Sequence, residues 1–215
     1  PAFAYAAHEY PPVFAQLISP FTTLPWESFV LLWLVVQLGI LLWLVGPRWL
    51  GLVLMLSPIQ EAIWSGNLTF IYAGVAVLAI RYPAVWLIPL VSKVTPGIGI
   101  LWYAVRREWR QLAIVVGLTG AVVAISLVTV PDTWAAWFDW VRANGSAAGP
   151  QGLVNAVPVP LWLRLAGAAA IVTWGALRNQ PWVLVVPLWL AQPTAWWTDL
   201  VMLATPLTPW LRRQG

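Results

Sequence analysis

The stretch AVWLIPLVSKVTPGIGILWYAV, residues 84–105, decides how the rest of the chain is read. It is apolar almost throughout, yet it holds Lys93, the only lysine of the chain, with Pro96 three residues later. A charge in lipid is expensive and calls for a pore, a partner or a ligand. Read as one straight helix, the stretch carries Lys93 near its middle and puts Arg81 and Arg106–Arg110 on opposite sides of a membrane. Read as two half-helices meeting at Ser92-Lys93-Val94-Thr95-Pro96, it returns both basic turns to one side. Proline lacks a donor and disfavours helical geometry at the residue before it, so the break has a mechanism. Backbone without helix at membrane depth is tolerated only against protein or a water-filled cavity.

Working outward, the same pattern recurs. The 215 residues are 61% hydrophobic and 8% charged, with a mean hydropathy of +0.80. Apolar runs separated by proline and polar punctuation predict an all-α polytopic membrane protein, a transmembrane helical bundle with short broken helices. The candidate crossings are about 28–46, 49–59, 67–80, 84–92, 96–105, 111–130, 160–177, 181–191 and 199–211, of which 28–46 and 111–130 are long enough to span comfortably. Ser57-Pro58-Ile59-Gln60 and Gln192-Pro193-Thr194 repeat the break seen at Lys93. Three such breaks on one side suggest the floor of a cavity.

Charge sets an expected orientation. With the His8-Glu9 segment outside and every run crossing, the inner turns hold Arg48, Arg81, Arg106, Arg107, Arg110, Arg178, Arg212 and Arg213. The outer side keeps only Lys93, Arg142 and Arg164, the bias that the positive-inside rule expects. Glu9, Glu27, Glu61, Asp132, Asp139 and Asp199 also fall outside, which gathers carboxylates on one face. Between Pro131 and Val159, Trp134, Trp137, Phe138, Trp140 and Val141 share a helical face. They predict an amphipathic helix lying on the membrane. Asn144 to Gly152 then reads as a polar loop able to order over a substrate. The start, Pro1 without Met or a signal-type segment, is read as an internal position of a longer protein.

Composition excludes several classes. No cysteine means no disulfide, thiolate nucleophile or cysteine metal site, and one histidine rules out a histidine-rich cluster within the chain. No metal and no cofactor are expected. The densest basic run, Arg106-Arg107-Glu108-Trp109-Arg110, reads as a cytoplasmic anchor, so nucleic acid is not an expected partner. The 18 tryptophans cluster beside the polar breaks, as an interfacial belt does. What carboxylates, amides and one lysine beside an apolar cavity suit is a polar or anionic head on a lipid tail. Lys93 acts on a phosphate, or else snorkels to the interface or pairs with an acid such as Glu61; the pattern alone leaves both open. Asp199 reads as a helix cap or a substrate contact.

Five segments in order carry a resemblance. Tyr10-Pro11-Pro12-Val13-Phe14, continuing through Ser19-Pro20-Phe21 and Leu24-Pro25-Trp26, is followed by Gln60 to Gly66-Asn67 and by Lys93-Val94-Thr95-Pro96 with its basic-aromatic turn. Gly149-Pro150-Gln151-Gly152-Leu153 and Pro193-Thr194-Ala195-Trp196 complete the series. Together they resemble glycosyltransferase family 87, the polyprenyl-phosphate-mannose-dependent mannosyltransferases of the GT-C superfamily, over essentially the whole chain. Pro150 and Gly152 depart from the family's loop, and Thr198 and Asp199 stand where histidines often follow the late tryptophan. The resemblance implies a GT-C-like bundle that moves mannose or a related sugar from a lipid phosphate to an extracytoplasmic lipid or glycan acceptor. The expected location is the cell membrane. It implies a donor-phosphate contact at Lys93 and a substrate cavity drawing on Glu9, Tyr10, Gln60, Glu61, Asn67, Gln151, Asn155, Trp196 and Asp199. The general base is expected upstream of the Tyr-Pro-Pro segment, beyond this sequence. A lipid-anion carrier with broken helices, or an inactive truncated relative, is the competing expectation.

Overall fold

The computed structural model describes residues 10–144, 159–193, 198–200 and 202. Among them every regular element is helical. In chain order these are α1 (Pro12–Ile18), α2 (Trp26–Val45), α3 (Pro47–Leu54), α4 (Ser57–Trp64), α5 (Thr69–Leu78), α6 (Leu87–Ser92), α7 (Leu101–Val105), α8 (Trp109–Thr129), α9 (Pro131–Asn144), α10 (Leu161–Arg178) and α11 (Val185–Leu190). Tighter 3₁₀ turns lead into α6 (Pro83–Trp86), α7 (Thr95–Ile100) and α11 (Pro181–Leu184).

The prolines explain the short lengths. Pro12, Pro47, Pro58, Pro83, Pro96 and Pro181 each sit at the first or second position of their element, where the missing N–H costs no hydrogen bond. They start helices rather than kink them, which is why the apolar runs break where they do. Two helices, α2 and α8, are long and apolar enough to cross a membrane alone; α4 and α5 count as a third only if a pair bent by 106° is one span. The expectation that all nine runs cross is therefore met by length at the two anticipated runs. Among the described residues α10 is an unbroken helix of 18 residues at the run expected over 160–177, the other runs are shorter or sharply bent, and the last run lies mostly outside the described residues.

Burial grades the helices. Helix α5 is the centre, with Thr69 to Val77 buried except at Ile71. Around it pack α2, α6, α11 and the turn that starts at Pro181. By contrast α2 and α8 expose Leu31, Val35, Val116, Ile125 and Val128, the face a lipid-contacting helix keeps apolar. Helix α9 forms where the aromatic face predicts one. It turns back on α8, with Trp134 donating its ring N–H to Ser126 Oγ at 2.9 Å and packing edge-on to Trp137. Phe138 stays exposed, and Asp132 and Arg142 suit the two ends of the helix dipole.

The Lys93 stretch is two half-helices, Pro83–Ser92 and Thr95–Val105, as the charge pattern requires. Glycines bring them together. A Cβ on Gly97 would stand 2.2 Å from Leu90 Cδ2, and one on Gly99 would stand 1.9 Å from Trp86 Cη2. The module has a counterpart: Pro181–Leu190 repeats the 3₁₀-then-helix form, with a second proline six residues after the first in each, at Pro89 and Pro187. The residues before the two modules, Tyr82 (φ −126°, ψ 83°) and Gln180 (φ −112°, ψ 75°), have nearly the same backbone geometry. The second module packs on the Thr95–Ile100 turn that follows the first.

Overpacking predicts that Gly99→Ala lowers stability by about 1–3 kcal/mol. Gly74→Ala, whose Cβ would meet Ile40 at an ordinary 3.6 Å, is expected to be neutral or stabilising because alanine favours helix. Thermal unfolding of the two variants in detergent checks the contrast.

Candidate functional site

Helix α5 begins at a polar belt. Asn67 Nδ2 faces Thr198 Oγ1 at 3.5 Å, and Thr69 Oγ1 donates to Asp199 Oδ1 at 2.7 Å. One turn on, the Tyr72 hydroxyl and Ser92 Oγ lie 2.7 Å apart. Ser92 spends its proton on the Ile88 carbonyl at 2.6 Å, so Tyr72 is the donor between them. Thr69 and Tyr72 share a face because they are three residues apart on one helix. Tyr10 is stacked on Phe14 with ring centroids 4.8 Å apart. Lys93 follows Ser92 directly and is half-buried.

The belt thus brings together Asn67 and Asp199 from the sequence expectation, and Lys93 follows its Ser92 in the chain. Asp199 is fully buried and clasps α5 across 130 positions of chain, so its described role is tertiary. Gln60 does something else: it is exposed and donates to the Leu54 carbonyl at 3.0 Å, closing the end of α3. Glu61 is half-buried on α4 and forms no ion pair among the described residues, Lys93 included. Glu9, Gln151, Asn155 and Trp196 lie outside the described residues, as does the loop after Asn144.

Beside the belt is an apolar cleft of about 380 Å³, lined among others by Ile40, Trp43, Ile71, Gly74, Val85 and Ile88. It lies between α2, α5 and the Pro83–Ser92 module. The belt and the cleft share two helices: Ile71 adjoins Tyr72, and Ile88 accepts from Ser92. Thr69, Tyr72 and Ser92 are fully buried, so the belt is a packing contact and the open space beside it is the apolar cleft, which suits an aliphatic tail.

Residue types alone missed three further features. Arg164 is buried and donates to the carbonyls of Val159, Leu190, Gln192 and Pro193 at 2.7–3.2 Å. It therefore serves the end of α11, a role that the charge count did not assign. A guanidinium with five donors suits a cluster of orphan carbonyls. Arg106 similarly reaches Ala176 O at 3.2 Å and Asn179 Oδ1 at 3.0 Å while paired with Glu108 at 2.6 Å. The third is Gln37, buried in the middle of α2 with neither amide atom bonded among the described residues. Its signal in sequence is a lone amide within a twenty-residue apolar helix.

The described residues define an all-α polytopic membrane protein with a polar belt and an apolar cleft along the same helices. The chain belongs to glycosyltransferase family 87, whose model matches residues 8–213. Membership makes it a membrane glycosyltransferase by class rather than a carrier. No curated protein and no solved structure matches it.

Opposite signs are expected at two buried polar positions. Thr69→Val removes the donor to Asp199 and should cost about 1–3 kcal/mol, whereas Gln37→Leu replaces an unbonded buried amide and should gain about 1–2 kcal/mol. Denaturation of purified variants in the same detergent measures both.

Proposed function

We propose that the protein transfers a hexose, with mannose the first choice, from a polyprenyl-phosphate donor to a lipid or glycan acceptor on the extracytoplasmic side of the cell membrane. The observation that carries the reading is the apolar cleft between α2, α5 and the Pro83–Ser92 module. It is bounded by aliphatic and aromatic side chains, and Lys93 directly follows the module's last residue. Membership of the family supplies the reaction class.

In this reading the acceptor oxygen loses its proton to a general base and attacks the anomeric carbon from the face opposite the phosphate. The bond from that carbon to the phosphate oxygen breaks, and negative charge grows on the leaving phosphate. The Lys93 ammonium compensates that charge, where an ordered cation lowers the barrier most. The first isoprene units of the donor lie in the cleft between α2 and α5. No described carboxylate is assigned as the base, and Asp199 is fully buried and engaged with Thr69.

Transfer from radiolabelled polyprenyl-phosphate-mannose, using the complete protein in membranes, tests the proposal. Lys93→Ala is expected to lower transfer about 100-fold with an unchanged melting temperature, the size of losing one charge-stabilising donor. Equal kinetics in parent and variant refute the phosphate contact. Gly74→Leu, which fills the cleft, should raise KM for a long-chain donor several-fold but leave a short-chain analogue unaffected. An equal effect on both donors refutes the tail assignment.

A further inference from the structure

The backbone beside Lys93 is strained. Val94 has φ 55° and ψ −59°, and the Thr95 N–H donates to the Lys93 carbonyl at 2.6 Å. A bond from residue i+2 to residue i around a positive φ is the rare form of γ-turn. A β-branched residue there is a genuine outlier. Packing of the side chain does not explain the choice, because Val94 is 48% exposed. Glycine would adopt this turn without the penalty.

The surroundings hold the turn in place. The Lys93 and Val94 N–H groups both donate to the Pro89 carbonyl, at 3.0 and 2.9 Å, and Gly97 N–H donates to the Val94 carbonyl at 2.9 Å. The contacts of Gly97 with Leu90 and of Gly99 with Trp86 press the two half-helices together on either side. Strain that persists under such over-determination concentrates at functional sites. The same bonds have a chemical consequence. Every N–H in the turn is already used and Pro96 has none, so an anion arriving here must be held by side chains. Lys93 is the cation that the turn itself contributes.

We propose that Val94 is a positioning residue, whose strained turn fixes the backbone from which Lys93 reaches the donor phosphate. The inference rests on the donor reading given above. A β-branched residue has few alternative conformations once clamped, so Lys93 starts from one backbone geometry. Glycine at 94 relieves the penalty but lets the turn wander, and donor binding must then order it.

The test compares Val94→Gly with Val94→Ala in the complete protein; alanine keeps the positive-φ penalty, and glycine removes it. Val94→Gly should melt about 2–4 °C above Val94→Ala. Its KM for polyprenyl-phosphate-mannose should be at least fivefold that of Val94→Ala, with kcat at saturating donor and KM for the acceptor within twofold. A merely structural turn would show the stability difference without the shift in donor KM, and that result overturns the proposal. Equal melting temperatures also overturn it, because the turn is then not strained. Lys93→Ala separates the two levels. If it raises donor KM while Val94→Gly does not, positioning by Val94 fails and the donor reading stands. If Val94→Gly leaves donor KM unchanged and Lys93→Ala changes neither donor KM nor kcat, the donor reading fails with it.

Discussion

Backbone carbonyls at the ends of short helices are the constraint on which this structure depends. In an apolar medium an unbonded carbonyl has no water to turn to, and each break in a helix exposes several. The chain answers with side chains from elsewhere in the sequence. The Tyr103 hydroxyl donates to the Ala79 carbonyl at the end of α5. Arg106 serves the end of α10, Arg164 the end of α11 and Gln60 the end of α3. Trp33 donates to Gly66 at the bend between α4 and α5. These donors come from other helices or from several residues away, so satisfying a break and packing the bundle are one event.

That constraint separates what could be read in the sequence from what could not. The two crossing helices, the half-helices around Lys93 and the aromatic helix after Pro131 follow from hydropathy and proline, which act locally. The helix ends at Ser57 and Pro96 follow as well, because a proline near position one forces them. Arg164 could not be read this way. The charge pattern assigns it a side of the membrane and no partner, and only the tertiary approach of α11 to the first turn of α10 shows it to be an internal cap. Gln60 is a similar case: its bond to the Leu54 carbonyl, six residues away, has no signal in the sequence.

The site divides along the same line. Lys93 stands out by isolated polarity, Asp199 by its place at the start of the last apolar run, and Tyr10 and Asn67 through the resembling segments. That Asn67 and Asp199 meet depends on α5 beginning beside the turn at 198–200, and no local pattern encodes that. Thr69, Tyr72 and Ser92, also in the belt, are common types inside an apolar run and gave no signal. The apolar cleft was equally hidden, since Ile40, Ile71 and Ile88 look like any core residues until α2 fails to close fully on α5.

The paired half-helices bear on how the protein is made. Segments of ten or eleven residues such as Pro83–Ser92 and Thr95–Val105 are too short to partition into a bilayer individually, since about twenty apolar residues are needed. Helices α2 and α8 have that length and can enter as each leaves the insertion machinery. The half-helices between them wait beside donors made before or with them, since Trp33 serves Gly66 and Tyr103 serves Ala79. The end of α10 in turn finds its donor, Arg106, already made some seventy residues earlier. A nascent chain therefore carries the cap for this late helix end before the end itself exists.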